Sequence, residues 1–116
     1  MARINVRLEC PLCGEQVVDG DAPHAGECPG CSARYEGDGE SAPQAVAVAL
    51  EALGISDVTP DRVALALFTL TAEQARDIGI TITSDERDGF YRWWVFLHAG
   101  DDPRELVSRL LDAATA

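Results

Sequence analysis

The chain has 116 residues, and its 20 acidic side chains outnumber nine basic ones to give a formal net charge of −11. Because a phosphate backbone requires a basic protein face and anionic lipid repels an acidic one, this charge disfavours direct binding to nucleic acid or to a membrane surface. No apolar run approaches the ~18 residues of a membrane span, and the first residues lack the apolar core of a secretory signal. We therefore expect a cytoplasmic protein.

The first predicted element is a strand that leads into the first of two cysteine pairs. Ile4, Val6 and Leu8 alternate with polar residues, a pattern typical of a half-buried strand. The spacer between the two pairs, residues 14–27, is predicted to form a hairpin, because a short apolar run meets an Asp19-Gly20 turn signal. The cysteines are therefore expected in a region of short strands and turns.

The cysteines form two Cys-x-x-Cys pairs, and no other cysteine occurs in the chain. A two-residue spacing lets each pair curl around a metal ion in one tight turn, as tetrahedral Zn²⁺ bound by four thiolates requires. Gly14 and Gly30 supply small residues where the chain reverses and a positive φ is favoured. The predicted ligands of one structural Zn²⁺ are Cys10, Cys13, Cys28 and Cys31.

Other interpretations of the cysteines stay open. Thiolate tetrahedra also accept iron, as in an electron carrier. The pairs could instead form disulfides or a redox Cys-x-x-Cys site, although the sequence shows neither an oxidising compartment nor a thioredoxin-like context. His24 lies within the spacer and could compete as a ligand, but we favour an exposed loop histidine.

Residues 8–35 resemble the rubredoxin-type zinc ribbon. As in that family, the chain has two metal-binding turns, called knuckles: Cys-Pro-Leu-Cys-Gly at residues 10–14 and Cys-Pro-Gly-Cys at residues 28–31. The resemblance implies that the four matching cysteines hold a structural metal, with three short antiparallel strands packed around it. The chain departs from the pattern at Ser32, where a glycine would follow the second pair.

A boundary between two parts is predicted at residues 37–41, where glycines and small polar residues indicate a hinge. The preceding zinc ribbon, residues 1–36, is expected to depend on its metal for folding, because so short a segment rarely forms a sufficient core. Its returning strand should carry Tyr35 over the zinc lobe. Residues 42–116 form the second part, which is predicted to be mainly helical.

Capping residues predict four helices in the second part. The first is apolar almost all round, so it is either a buried core helix or a helix with one face docked on another protein. The third has the spacing of a capping box. The first helix is predicted to begin at Ser41 or Ala42, and the other three have Thr59, Thr71 and Asp102 at their starts; the predicted terminating glycines are Gly54 and Gly79.

A β-hairpin is predicted between the third and fourth helices. Ile80 and Ile82 alternate with threonines, residues 84–89 are polar, and residues 90–97 are aromatic and β-branched. A helix from Ser84 to Ala99 is the competing interpretation, since the aromatic residues also fit helical spacing. With the hairpin, the fold class is α+β.

Most of the aromatic residues lie in residues 90–98, and as a strand this segment has two hydrophobic faces. One face can cover the helices, whereas the other requires core or homodimer packing, or a docked partner. Trp, Tyr and Arg are enriched in the anchors of protein interfaces. The candidate interface residues are Tyr91, Arg92, Trp93, Trp94 and Phe96.

Motifs of enzyme chemistry are absent from the sequence, which has neither a Gly-rich phosphate loop nor a His-Glu-x-x-His pattern. We therefore predict a small non-enzymatic zinc-ribbon protein that serves as an accessory subunit or adaptor of a larger protein complex. The alternatives are a transcription-related regulator that contacts RNA polymerase or another regulator through protein contacts, and a metal-dependent or redox enzyme.

Overall fold

The computed structural model describes residues 6–20, 25–87 and 90–115 of the chain. The elements in these ranges confirm the α+β class. In chain order they are β1 (Val6–Glu9), β2 (Gln16–Gly20), β3 (Ala25–Glu27), β4 (Arg34–Gly39), α1 (Ala42–Ala52), α2 (Pro60–Thr69), α3 (Ala72–Ile78), β5 (Ile80–Arg87), β6 (Phe90–Leu97) and α4 (Pro103–Thr115). Within the same ranges, no helix is both long and apolar enough to cross a membrane.

A four-stranded antiparallel sheet in the order β3-β4-β6-β5 joins the cysteine region to the helical part. The segment predicted as a hinge, residues 37–41, overlaps β4, because Gly37 and Gly39 pair with Trp94 and Trp93 of β6. Only residues 40–41 connect β4 to α1. The sheet therefore crosses the boundary that the sequence suggested between the two parts. Independent folding of either part stays a prediction.

The strands around the cysteines differ from the predicted arrangement. The prediction that the spacer forms its own hairpin is wrong, because β2 pairs with β1 while β3 pairs with β4. Asp19 and Gly20 lie in β2 opposite Arg7 and Val6, so they do not form the expected turn. The physical reason is that each Cys-x-x-Cys turn itself reverses the chain and brings together the strands on either side of it. Four strands rather than three flank the two turns.

The helix boundaries follow the predicted capping residues closely. The side chain of Ser41 accepts a hydrogen bond from the N–H of Gln44 before α1. Thr71 and Gln74 form the reciprocal capping box of α3, with bonds of 3.1 and 2.9 Å, and Gly79 ends that helix with a φ of 100°. These caps satisfy backbone groups that have no partner within the helix itself.

The β5–β6 hairpin is confirmed, and with it the competing helix from Ser84 to Ala99 is excluded. The two strands pair from Ile80 opposite Leu97 to Arg87 opposite Phe90. Alternating β-branched residues in β5 favour this extended pairing. Residues 88–89 lie outside the described ranges.

β6 contributes to two separate hydrophobic clusters because its side chains alternate between the faces of the sheet. Val95 and Leu97 pack with residues of the helices and of β5 in the larger cluster. Trp94 and Phe96 pack on the other face, where the cysteine turns cover them. The larger cluster includes Val46, Ala49 and Leu50 of α1, as expected for a core helix.

The crossing of β4 over α1 depends on the absence of a side chain at Gly39. A Cβ atom at this position would lie 2.4 Å from the backbone nitrogen of Ala45 and 2.8 Å from its Cα atom. We expect Gly39→Ala to lower the free energy of unfolding by about 3 kcal/mol, because the backbone of β4 or α1 must move. Urea denaturation measures this change.

The matched control for that substitution is Gly100→Ala. Gly100 also precedes a helix, and a Cβ atom there has open space around it, although its φ is +81°. This variant should lose only about 1 kcal/mol, the cost of a left-handed conformation. Equal losses of unfolding free energy for the two variants would show that the close contact between Gly39 and α1 does not cause the loss of stability.

Candidate metal centre

The two cysteine turns have the same backbone hydrogen bonds. In each turn the N–H of the first cysteine donates to the carbonyl five residues later, and its own carbonyl accepts from the N–H four residues later. The distances are 2.8 Å from Cys10 to Glu15, 2.7 Å from Gly14 to Cys10, 2.8 Å from Cys28 to Ala33 and 2.8 Å from Ser32 to Cys28. The chain therefore contains two equivalent knuckles, each presenting a pair of thiols.

The residue after each knuckle has a left-handed backbone conformation. Gly14 has a φ of 82°, and Ser32, at the equivalent position of the second knuckle, has a φ of 63°. The departure of Ser32 from the zinc-ribbon pattern thus preserves the geometry that a glycine would supply. A side chain in this conformation costs roughly 1–2 kcal/mol.

Gly30 allows the two knuckles to pack closely, and it does not supply a positive φ. The prediction of a positive φ at Gly30 is wrong, since its φ lies outside the left-handed region. A Cβ atom at Gly30 would lie 2.3 Å from Cγ of Glu15 and 3.3 Å from Sγ of Cys13. A glycine at this position therefore lets the second knuckle approach the first.

All four sulfur atoms converge, lying within 4.8 Å of one another. Sγ of Cys10 is 3.8 Å from that of Cys31, and Sγ of Cys13 is 3.5 Å from that of Cys28. A tetrahedral Zn²⁺ with Zn–S distances of about 2.3 Å sets the sulfurs about 3.8 Å apart, whereas a disulfide requires about 2.05 Å. The four thiols are free, and their spacing fits a metal ion.

The cluster has a buried side and an exposed side. Cys10 and Cys28 are 0% and 2% exposed, and they pack in the same cluster as Tyr35, Trp94 and Phe96. Cys13 is exposed. The first cysteine of each knuckle thus faces the sheet, so a bound ion would lie between the sheet and the surface.

The environments of the thiols shift their pKa values in different directions. Burial raises the pKa of Cys10 from 9.0 to about 12, and burial also raises the pKa of Cys31. Burial opposes ionisation of Cys28 as well, but donation from the backbone N–H groups of Cys31 and Gly30 lowers its pKa on balance. Gly30 N lies 3.4 Å from the Cys28 sulfur. Since a metal binds thiolates, metal affinity should fall as the pH is lowered.

The candidate interface residues do not share one surface. Trp94 and Phe96 are 1% and 0% exposed, so they lie inside the chain beneath the cysteine knuckles. Arg92 and Trp93 are partly exposed. Tyr91 lies in β6, but its side chain is outside the described part of the structure, as is all of His24.

Sequence reasoning missed two exposed apolar residues on α2. Leu65 is 69% exposed and Phe68 is 57% exposed. The ring of Phe68 meets that of Trp93 edge to face, with centroids 5.7 Å apart and an interplanar angle of 81°. Neither residue lies on the apolar stripe that Val63 and Leu67 form. Large apolar residues away from that stripe were the signal in the sequence that could have predicted this exposed surface.

Comparison with protein-family models, with curated proteins and with solved structures found no match. The description of the protein therefore rests on its own fold and site. It is a small α+β protein with a four-cysteine cluster that can hold a metal ion.

The equivalent positions Ser32 and Gly14 allow a reciprocal test of the knuckle geometry. Ser32→Gly should raise the free energy of unfolding of the metal-loaded protein by up to about 1 kcal/mol, because it relieves the left-handed conformation of a side-chain residue. Gly14→Ser should lower it by a similar amount. Thermal unfolding of the two variants measures both changes, and the same sign for both would contradict the equivalence of the knuckles.

Proposed function

We propose that this chain is a non-enzymatic, zinc-stabilised accessory subunit or adaptor that docks on a larger protein assembly. The single observation that carries the proposal is the position of the cysteine cluster, in which Cys10 and Cys28 are buried against Trp94 and Phe96 of the inner strand β6. The cluster occupies the place of a hydrophobic layer in the fold, which is the role of a structural metal rather than a catalytic one.

Zinc is the ion that the donor set favours. Four thiolates in a tetrahedral arrangement are typical of structural Zn²⁺, and the two equivalent knuckles support the likeness to a rubredoxin-type ribbon. Among the described residues, the only group that could hold a metal consists of the four cysteines. A closed four-thiolate site has no position for a substrate or a reactive water.

The metal would also stabilise the sheet. The rings of Tyr35 and Phe96 are in tilted contact, with centroids 5.3 Å apart, and Trp94 lies in the same cluster. Full burial of each large apolar side chain contributes about 1.5–3 kcal/mol. A metal ion would join the two knuckles through its bonds to the four sulfur atoms, so metal loss should open this side of the sheet.

The adaptor role is supported by charge and by the exposed residues of α2. A net charge of −11 favours a protein partner over nucleic acid, and exposed large apolar side chains mark surfaces that another protein can cover. A transcription-related regulator would be one form of the same adaptor role. The cytoplasmic location expected from the sequence stays a prediction.

Removal of the metal should expose Trp94. In a Trp93→Phe background Trp94 is the only tryptophan, since the chain has two, and chelation or Cys10→Ser should shift its fluorescence emission to the red. The reason is that Cys10 covers the cluster in which Trp94 is buried. Emission spectra recorded alongside zinc content by mass spectrometry measure the coupling.

The matched reporter is a Trp94→Phe background, in which Trp93 alone emits. Trp93 is already partly exposed, so its emission should shift much less on chelation. Zinc loss without a shift in the Trp94 reporter would show that the metal does not hold the knuckles against the sheet.

Native mass spectrometry of the protein isolated gently from its own cells tests the adaptor role. We expect one zinc ion per chain and a larger protein bound in fixed stoichiometry, because an accessory subunit functions within its assembly. A zinc-loaded monomer without any partner would contradict the adaptor role but would not contradict the structural-zinc assignment. Iron, or a metal that exchanges within minutes, would contradict the structural-zinc assignment itself.

A further inference from the structure

The four cysteines of the cluster differ in their access to solvent. Cys10 and Cys28 are buried against the sheet, Cys31 is partly buried, and Cys13 is exposed. The second cysteine of the first knuckle is therefore the outermost member of the cluster. A small reagent in solution has its most direct access to the cluster at Cys13.

An open cavity of about 470 Å³ lies beside the first knuckle. Residues 9–14 line one side of it, and Arg76 of α3 and Thr83 of β5 line the other. Glu9, Cys13 and Arg76 are exposed residues, so the cavity opens to solvent. A water molecule takes up about 30 Å³ of liquid, and hydrogen peroxide is only slightly larger. The cavity therefore admits peroxide to the side of the knuckle that carries Cys13.

The close sulfur contacts cross from one knuckle to the other. Sγ of Cys13 lies 3.5 Å from Sγ of Cys28, and Sγ of Cys10 lies 3.8 Å from Sγ of Cys31. A disulfide between Cys13 and Cys28 would need the two sulfur atoms to approach by only about 1.5 Å, to a bond length of about 2.05 Å. The exposed cysteine thus has a buried partner within reach on the opposite knuckle.

A four-thiolate zinc site is chemically suited to oxidation at sulfur. Four thiolates around one Zn²⁺ leave a net charge of about −2 on the site, and the thiolate rather than the thiol is the form of cysteine that attacks peroxide. Metal binding itself holds the sulfur atoms as thiolates, so no neighbouring base is required. Zn²⁺ has no redox chemistry of its own, so the electrons come from sulfur, and no open position on the metal is needed.

We propose that Cys13 is an oxidation site for hydrogen peroxide, and that its oxidation leads to a disulfide with Cys28 and to release of the metal. The proposal rests on the structural-zinc role proposed above, to which it adds a response to peroxide. It differs from a redox Cys-x-x-Cys site, because the disulfide joins the two knuckles instead of closing within one of them.

The reaction has two steps. Sγ of Cys13 attacks one peroxide oxygen, so that an S–O bond forms while the O–O bond breaks, and the departing oxygen takes up a proton and leaves as water. Sγ of Cys28 then attacks the sulfur of Cys13, so that the S–S bond forms while the S–O bond breaks, and the departing hydroxide takes up a second proton. Two thiolates lose two electrons, and one peroxide with two protons from solvent gives two molecules of water.

The disulfide removes two of the four metal ligands. Cys10 and Cys31 alone are too few to hold a structural zinc ion, which takes four ligands, so the ion should dissociate. Reduction of the disulfide by a thiol restores the four thiolates and with them the capacity to bind zinc. The cysteine cluster would therefore lose and regain its metal according to the supply of peroxide and thiol.

The test treats the full, zinc-loaded chain with an equimolar amount of hydrogen peroxide, blocks the remaining thiols by alkylation and cleaves the chain after glutamate. Cleavage after Glu9, Glu15 and Glu27 separates the two cysteine pairs into different peptides. We expect a cross-link between these peptides, located at Cys13 and Cys28 by fragmentation in mass spectrometry. About one zinc ion should be released per disulfide, and a thiol reductant should restore zinc binding.

Cys28→Ser and Cys31→Ser are a matched pair of variants, because each removes one thiolate from the second knuckle. Cys31→Ser retains Cys28 and should still form the disulfide with Cys13. Cys28→Ser lacks this partner, so sulfenic acid at Cys13, trapped with dimedone, should accumulate at least about fivefold more than in Cys31→Ser. The two variants lose the same number of ligands, so weaker zinc binding affects both sides of the comparison.

Other results would overturn the proposal. A disulfide within one knuckle, or earlier oxidation of another cysteine, would refute the assignment of Cys13 and Cys28, and equal trapping in the two variants would refute the role of Cys28. A zinc-loaded chain that keeps its metal and its thiols in excess peroxide would refute the oxidation without contradicting the structural zinc. A chain isolated without zinc would contradict the structural-zinc proposal before any peroxide is added, and this proposal with it.

Discussion

The convergence of four sulfur atoms is the constraint on which the arrangement of the sheet depends. The atoms lie within 4.8 Å of one another, which requires the two knuckles to face each other and Gly30 to carry no side chain. Because the second knuckle joins β3 to β4, and β4 pairs with β6, this geometry also fixes the cysteines against the sheet. A metal that joins the knuckles would thereby contribute to folding of more than the cysteine region.

β6 is the element through which the two sides of the molecule are connected. Its alternate side chains enter both hydrophobic clusters, one with the helices and one with the cysteines. A strand that is buried on both faces cannot shift by one residue without exchanging its two sets of contacts. The packing of the helices and the packing of the knuckles therefore specify the same register, and Trp94 and Phe96 are covered within the chain.

The exposed face of α2 differs in character from the cysteine cluster. Cys10 and Cys28 are buried against the sheet, whereas Leu65 and Phe68 leave apolar area uncovered on α2. Under the proposed adaptor role, the cysteine cluster would serve the fold and the exposed face of α2 would meet a partner.

The sequence by itself determined the features that depend on neighbours along the chain. The Cys-x-x-Cys spacing indicated the ligand cluster, the capping box at Thr71 and Gln74 set the start of α3, and the alternation of residues 80–83 indicated the hairpin. Each of these predictions rests on a short-range effect of side-chain spacing or backbone conformation.

Only the tertiary structure decided which strands pair and which side chains are covered. The pairing of β2 with β1, the inclusion of Gly37 and Gly39 in the sheet, and the burial of Trp94 and Phe96 beneath the knuckles all join residues far apart in the chain. The exposure of Leu65 and Phe68 likewise depends on what the rest of the chain leaves uncovered. These outcomes depend on which long-range contacts are the most stable. The local pattern of a sequence does not predict which of these contacts form.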